Sequence, residues 1–264
     1  MENNKILYDT IGTDYNSTRQ ADPYITERLF QFLSPQPNKL YLDIGCGTGN
    51  YTIALAKKGL SFYGVEPSEK MLETGRSKND QINWLYGQAE HIPADDNLFD
   101  GVIATLTIHH WLDIEKAFRE INRVLKGEGK LVIFTATPEQ MKGYWLNYYF
   151  PKMLEDSILQ MPSFDIIKDA AACADFVITG TEKYFIQDDL KDLFLYAGKN
   201  KPEFYLDEEI RKGSSSFSAL ANAAEVKQGL SKLEGDIESG RFAEVKSKYD
   251  SDSGEYLFIT VQKC

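Results

Sequence analysis

The chain has 264 residues, of which 42% are hydrophobic and 26% are charged, and its formal net charge at pH 7 is −11. This length fits one large domain, or one domain with a substantial insertion, and the composition is that of a globular protein. The negative charge argues against a nucleic-acid partner, because it repels phosphate backbones. The three cysteines lie far apart and lack the spacing of a zinc site, so we expect reduced thiols and no bound metal.

No segment of the sequence predicts export or a membrane span. Residues 1–5 lack the basic start and the apolar run of a signal peptide. No apolar run approaches the roughly 20 residues that cross a bilayer. We therefore expect a cytoplasmic protein with no membrane partner, and the sequence leaves its oligomeric state open.

The first 135 residues predict helices and strands in alternation. Residues 1–33 are predicted to be helical, with Ile25 and Leu29 on one face. From residue 40 onward, short apolar runs alternate with amphipathic stretches, which is the pattern of βα units around a parallel sheet. Helices are predicted to begin near Gly49, after Ser68 as N-cap, and over Asp113–Lys126. The predicted strands are 40–44, 61–65, 82–86, 99–104 and 130–134.

After residue 135 the alternation stops. Two helices are predicted around 188–197 and 217–238, and the end of the chain predicts a hairpin with strands near 242–249 and 256–261. The predicted fold is therefore α/β. It is a doubly wound, Rossmann-like, mostly parallel sheet that ends in an antiparallel hairpin, with a helical cap inserted after the fifth strand. The predicted parts are an N-terminal helical segment (1–35), a core (36–135), the cap (136–240) and the hairpin (241–264).

The cap sequence begins with an aromatic stretch. Tyrosine, tryptophan, phenylalanine and methionine are frequent in residues 144–153. One interpretation is a lid over a bound substrate, because aromatic walls stack planar molecules or hold cations. The other is that these residues are the core of an added helical layer, with one or two of them reaching the pocket.

A glycine-rich turn follows the first predicted strand. Gly45, Gly47 and Gly49 alternate along the turn, directly before a predicted helix. Glycines let the backbone approach a ligand closely, and a helix N-terminus offers N–H groups to a carboxylate. The dinucleotide-binding pattern G-x-G-x-x-G would need its third glycine at position 50, which is Asn50. A tight turn without a ligand is the alternative interpretation.

The observed spacing resembles the first motif of the class I S-adenosylmethionine (SAM)-dependent methyltransferases, in which an acid, here Asp43, stands two residues before the first glycine. Similarity to the methyltransferase type 11 group continues over about residues 40–135. It includes the segments 87–93, 97–103 and 123–131. The resemblance implies a Rossmann-like fold, SAM as the cofactor and S-adenosylhomocysteine (SAH) as its product.

The resemblance also implies a set of cofactor-binding residues. Glu66 would accept hydrogen bonds from the ribose hydroxyls, and Met71 would lie along the adenine or pack in the core. Gln88 replaces the aspartate that usually takes the adenine amino group. Arg19 would pair with the SAM carboxylate, unless it is a plain surface arginine, and Tyr15 would cover the site. The implied set is Tyr15, Arg19, Asp43, Gly45, Cys46, Gly47, Gly49, Glu66, Pro67, Met71, Gln88, Ala89, Glu90, Thr105 and Leu106.

Two adjacent histidines follow the fourth predicted strand, where this fold would place the methyl acceptor. Because imidazole exchanges protons near neutral pH, His109 or His110 is predicted to be a general base or to orient the acceptor. Adjacent residues seldom point the same way, so we expect at most one of them to face the cleft. The alternative is a structural loop that lines the SAM pocket, since a good acceptor needs no base.

The sequence therefore predicts an enzyme that moves a methyl group from SAM to a small-molecule acceptor by in-line displacement. A SAM- or SAH-binding protein that does not methylate is the main alternative, because its cofactor loop would look the same. An NAD-dependent oxidoreductase is disfavoured by the glycine spacing. A nucleic-acid methyltransferase is disfavoured by the acidic charge. The sequence does not choose among oxygen, nitrogen, carbon and sulfur as the methylated atom.

Overall fold

The computed structural model describes residues 18–264 as a seven-stranded sheet with helices around it. The strands are β1 (Leu40–Ile44), β2 (Ser61–Glu66), β3 (Asn83–Tyr86), β4 (Phe99–Thr105), β5 (Leu125–Thr135), β6 (Phe176–Tyr184) and β7 (Tyr256–Lys263). Their spatial order is β3-β2-β1-β4-β5-β7-β6, and only β7 runs antiparallel to its neighbours. The predicted Rossmann-like, mostly parallel sheet with an antiparallel end is confirmed.

The helices of the described chain are shorter and more numerous than predicted. They are α1 (Pro23–Leu33), α2 (Asn50–Ala56), α3 (Glu69–Lys78), α4 (Ile114–Val124), α5 (Pro138–Lys142), α6 (Leu146–Tyr149), α7 (Pro151–Gln160), α8 (Phe164–Cys173), α9 (Glu208–Lys212), α10 (Ala223–Glu238) and α11 (Phe242–Ser247). The predicted N-caps are confirmed, since the side chains of Ser68 and Asp113 accept hydrogen bonds from backbone N–H groups of α3 and α4. Within residues 18–264 no helix is long and apolar enough to cross a membrane.

Alternate residues of the central strands enter two separate cores, because successive side chains of a strand point to opposite faces. On one face, Tyr41 and Ile103 pack with Ile25 and Leu29 of α1. On the other face, strand residues that include Leu42 pack with α4 and α8. The sheet is therefore covered on both sides, and the carboxyl ends of β1, β2 and β4 open at one edge, where this class of fold binds its ligands.

The predicted C-terminal hairpin within 241–264 is wrong. Residues 242–247 form α11, since the apolar Phe242 and Val245 are three residues apart, which is helical spacing rather than strand alternation. The second partner of β7 is β6, which lies inside the segment predicted to be a helical cap. β6 is an edge strand whose residues are mostly exposed or half-buried, and Gly180 and Lys183 interrupt its apolar pattern.

Two further expectations for the cap differ from the structure. The predicted helix around 188–197 is absent, and residues 188–200 form turns instead. The helix predicted over 217–238 is divided into a π-helical turn, Ser216–Leu220, and α10, which Asn222 caps. The helix predicted to end at Lys126 ends at Val124, because Leu125 already pairs with Phe99 in the sheet.

The aromatic stretch of the cap forms a buried core. Tyr144, Trp145, Tyr149 and Phe150 are at most 3% exposed. Tyr144 stacks on Tyr196, with 3.9 Å between ring centroids. Such aromatic contacts stabilise the fold beyond the burial of apolar surface area alone. The core interpretation of this stretch is confirmed.

Candidate active site

The three glycines of the turn after β1 have different surroundings. All three have positive φ (66°, 55° and 77°), a region that disfavours L side chains. A Cβ atom at Gly45 would lie 1.9 Å from Thr107 Oγ1, and one at Gly49 would lie 2.2 Å from the ring of Trp84. At Gly47 a Cβ would meet only the sulfur of Met71, at 3.8 Å. Packing therefore requires two of the glycines, whereas Gly47 borders open space.

That open space is one of two cavities that meet at the carboxyl edge of the sheet. The first, here called the loop cavity, has a volume of about 110 Å³. The second, the cap cavity, has a volume of about 100 Å³ and is closed by residues of the cap. Arg19, Leu106 and His110 line both cavities and so form the junction between them. Leu106 has a φ of +53°, a strained conformation held by a hydrogen bond from its N–H to the Phe134 carbonyl.

Two buried carboxyl groups lie on the wall of the loop cavity. Asp43 accepts a hydrogen bond of 2.6 Å from the hydroxyl of Thr52. The two oxygens of Glu66 accept one backbone N–H each, from Gly47 at 3.0 Å and from Ser68 at 3.1 Å. Burial disfavours the ionised form of both acids, and it raises the pKa of Asp43 and of Glu66 to about 7.

An ion pair closes the same cavity from the other side. The Arg19 guanidinium donates to both carboxylate oxygens of Asp192, from Nε at 2.5 Å and from Nη2 at 3.2 Å. The Tyr51 hydroxyl donates to Asp192 at 3.1 Å. The side chain of Arg19 is 14% exposed and that of Asp192 is 2% exposed. The interpretation of Arg19 as a plain surface arginine is therefore wrong.

The two histidines lie on a 3₁₀ turn, Ile108–His110, that directly follows Thr107 and the strained Leu106. Their ring centroids are 3.8 Å apart, and both rings line the cap cavity. The expectation that at most one would face the cleft is wrong, because the tight turn brings the two rings together, tilted by 49°, on the same side. Burial lowers the pKa of His109 to about 4 and that of His110 well below its ordinary value. Both rings are therefore neutral at pH 7.

A model of the methyltransferase domain family matches residues 42–133. One solved structure, named as a methyltransferase from an antibiotic biosynthesis pathway of Anabaena variabilis, is 35% identical with a TM-score of 0.82. That similarity covers 92% of this chain and 98% of the other. The chain belongs to the class I SAM-dependent methyltransferases. The predicted resemblance to the type 11 group is confirmed.

Curated members of the same family are similar over part of their length. An uncharacterized methyltransferase of Mycobacterium tuberculosis is 32% identical over 135 residues, which are 51% of this chain and 55% of that protein. A demethylmenaquinone methyltransferase of Staphylococcus aureus is 31% identical over 161 residues, covering 52% of this chain and 67% of that protein. The chain thus spans a little over half the length of the first curated relatives that it matches.

The loop cavity brings together most of the predicted cofactor-binding residues of this methyltransferase. Those that line it are Arg19, Asp43, Gly45, Cys46, Gly47, Glu66, Pro67, Met71, Thr105 and Leu106. The hydroxyl Oγ1 of Thr105 is buried there and has no hydrogen-bond partner among residues 18–264. An unsatisfied hydroxyl at the wall of a polar cavity fits a site that is completed by a ligand. Burial raises the pKa of the Cys46 thiol well above its ordinary value, so this side chain stays protonated.

The remaining predicted residues are placed elsewhere. Gly49 precedes α2 and packs against Trp84, and Tyr15 lies outside the described residues. Gln88 is exposed and Ala89 is buried, and neither lines the loop cavity. The buried carboxylate of Glu90 instead accepts the N–H groups of residues 112 and 113, at 2.5 and 3.1 Å. Glu90 thereby anchors the loop that carries the histidines.

Several wall residues were not found from the sequence. Thr48, Asn50, Tyr51, Thr107 and Asp192 line the loop cavity. The cap cavity is closed by Ala136, Met141, Ser157, Gln160, Met161, Phe194, Leu195, Ser214, Ser215, Ser216 and Tyr256. Three adjacent serines, Ser214, Ser215 and Ser216, form one wall of the cap cavity. No residue of the stretch 144–153 lines this cavity, so the interpretation of that stretch as a lid is wrong, and so is the expectation that one or two of its residues reach the pocket.

Proposed function

We propose that this protein binds SAM in the loop cavity and transfers its methyl group to a small molecule held in the cap cavity. The observation that carries the proposal is the junction of the two cavities at Arg19, Leu106 and His110. SAM supplies a methyl group on a sulfonium, which is already activated for displacement. The protein then has to align the acceptor with that methyl group and to exclude water.

The walls of the loop cavity suit each part of the cofactor. Each oxygen of Glu66 accepts one backbone N–H and keeps capacity for a second hydrogen bond, so the carboxylate can accept both ribose hydroxyls. Gly47, at the edge of open space, lets the backbone of the turn approach the ligand. Met71 is 3% exposed beside this glycine, which fits contact with the adenine face as well as core packing.

The cap cavity favours an uncharged acceptor. Among its described wall residues, Arg19 carries the only formal charge at pH 7, and Asp192 neutralises it. Burying an ionic acceptor without a counter-charge would cost several kcal/mol. Ser157 and Ser216 are hydrogen-bonded to each other at 2.9 Å, and their hydroxyl oxygens keep capacity to accept a hydrogen bond from a neutral polar group. The name of the Staphylococcus aureus relative, a demethylmenaquinone methyltransferase, also supports a small-molecule acceptor.

The histidines are proposed to orient the acceptor and to take its proton. His110 lines both cavities, and Nδ1 of His109 is buried without a hydrogen-bond partner in the described part of the chain. A neutral imidazole can accept a hydrogen bond from an O–H or N–H group of the acceptor. Because the pKa of His109 is about 4, this ring is a weak base. It therefore suits a proton that leaves as the new bond to the methyl group forms.

The direct test incubates the protein with SAM and a panel of neutral phenols, alcohols and amines, and measures SAH by mass spectrometry. Methyl transfer predicts SAH and a methylated product in equal amounts. SAM binding without SAH from any acceptor would favour the non-methylating alternative. Once an acceptor is known, we expect His109→Ala, which removes the proposed base, to lower kcat by about 10²- to 10⁴-fold. Unchanged turnover in both His109→Ala and His110→Ala would contradict the histidine roles.

A further inference from the structure

The buried ion pair places Asp192 beside Arg19, the residue predicted to bind the SAM carboxylate. That prediction gives no role to Asp192. Both residues line the loop cavity, so a guanidinium and a carboxylate stand side by side on one wall. An α-amino acid carries an ammonium and a carboxylate on one carbon. The pair therefore presents the complementary charges to the amino-acid end of SAM, in the cavity where the proposed function places it.

Asp192 is the carboxylate of the loop cavity that lies beside Arg19, and it keeps an acceptor position for an ammonium group. Its two oxygens accept three hydrogen bonds, two from Arg19 and one from Tyr51, and a carboxylate has about four acceptor positions. The other two acids of the cavity have different surroundings. Asp43 is bonded to Thr52, and Glu66 is bonded to the backbone of the glycine turn.

The ion pair is held in place from both sides before any ligand arrives. The N–H of Leu193 donates to the carbonyl of Thr18 at 3.1 Å, which joins the segment of Asp192 to that of Arg19. The side-chain amide of Asn50, at the start of α2, donates to the Arg19 carbonyl at 3.0 Å. A site held rigidly in its binding geometry loses less entropy when a ligand is ordered in it.

We propose that Asp192 binds the α-ammonium group of SAM while Arg19 binds its α-carboxylate, so that Asp192 is a specificity-determining residue of the cofactor site. This inference rests on the proposed function only in taking the loop cavity as the SAM site. Asp192 belongs to the turn segment 188–200, about 85 residues beyond the end of β4. The cap segment thus recognises the cofactor as well as closing the acceptor cavity.

The test measures the affinity of four ligands by calorimetry, in the native protein and in Asp192→Asn. The ligands are SAH, 5′-methylthioadenosine, which lacks the amino-acid group, and two analogues of SAH that keep only one charge. The 3-aminopropylthio analogue keeps the ammonium, and the 3-carboxypropylthio analogue keeps the carboxylate. We expect Asp192→Asn to weaken the ammonium analogue about 10- to 100-fold, the range for a charge-assisted hydrogen bond.

The same substitution should strengthen the carboxylate analogue, because Arg19 then lacks its competing counter-charge, and should leave 5′-methylthioadenosine within about twofold of native. Asp189→Asn is the matched control, since Asp189 is exposed in the same segment and lines neither cavity. A purely structural ion pair would change the affinities of all four ligands in parallel. That result would overturn the proposal.

Removing one member of a buried pair strands the other charge and can prevent folding. The double variant Arg19→Gln, Asp192→Asn avoids this, and it should bind the two singly charged analogues with equal affinity. A persistent preference for the ammonium analogue in the double variant would also overturn the proposal. If the native protein bound neither SAH nor 5′-methylthioadenosine, the proposed function itself would be wrong. If it bound both and Asp192→Asn kept the native preferences, only the role of Asp192 would be wrong.

Discussion

Asp43→Asn should stabilise the protein at alkaline pH even though Asp43 lines the proposed cofactor site. Burial raises the pKa of Asp43 from its ordinary value of 3.8 to about 7. An acid with a raised pKa contributes full stability below pH 4, where it is protonated in both the folded and unfolded states. That contribution is lost as the pH rises through 7, because the unfolded chain ionises first. Asparagine cannot ionise and so avoids this loss.

The size of the effect follows from the pKa values. The difference between 3.8 and about 7 corresponds to about 4 kcal/mol in the free energy of unfolding above pH 7. The asparagine oxygen can still accept the 2.6 Å hydrogen bond from Thr52, but its buried amide group costs about 1 to 3 kcal/mol if it finds no acceptor. We therefore expect a net gain of about 1 to 3 kcal/mol at pH 8, and a loss of about 1 to 3 kcal/mol at pH 4, where only the cost of the amide remains.

Urea denaturation of the ligand-free protein, followed by circular dichroism at several pH values from 4 to 8, measures this effect. The difference between Asp43→Asn and the native protein should grow by about 1.4 kcal/mol for each pH unit between 4 and 7. A difference that stays constant over this range would refute the reasoning, whatever its sign. Glu66 contributes to the raised pKa of Asp43, so the total change between pH 4 and 8 should be smaller in a Glu66→Gln background.

Two further substitutions test the electrostatics and the glycine turn. Burial alone would raise the pKa of Asp100, but hydrogen bonds from the Leu40 N–H and from two lysines lower it. In the same urea assay, Asp100→Asn should therefore lower the free energy of unfolding at pH 7. The loss should become smaller as the pH falls below 4. Gly45→Ala should lower the melting temperature far more than Gly59→Ala. Both glycines have positive φ, but only the Cβ at position 45 would clash, at 1.9 Å from Thr107 Oγ1. Equal shifts in thermal denaturation would contradict this account of the turn.

The part of the fold that could be predicted is the part whose signals are local in sequence. The glycine turn, the acids before and after it and the capping residue Ser68 each act within a few residues of their position. The central strands β1 and β4 are almost continuously buried, and such runs are visible in a single sequence. The structure therefore agrees with the prediction over most of residues 40–135.

The part that could not be predicted depends on partners that are distant in the chain. β6 joins the sheet through β7, about 80 residues later, and its own exposed pattern carries no strong strand signal. Asp192 pairs with a residue 173 positions earlier. Glu90 sits in a motif associated with cofactor binding, yet it bonds to the loop after the histidines, which only tertiary packing could reveal.

The most direct test of the central claim is calorimetric titration of SAM and SAH into the native protein and into the Asp43→Ala, Glu66→Ala double variant. Native-like circular dichroism of the variant ensures that the comparison reports on the site. The two-cavity account predicts micromolar binding of both ligands by the native protein and loss of that binding in the variant. Absence of binding by the native protein, or equal binding by both proteins, would contradict the assignment of the loop cavity to SAM.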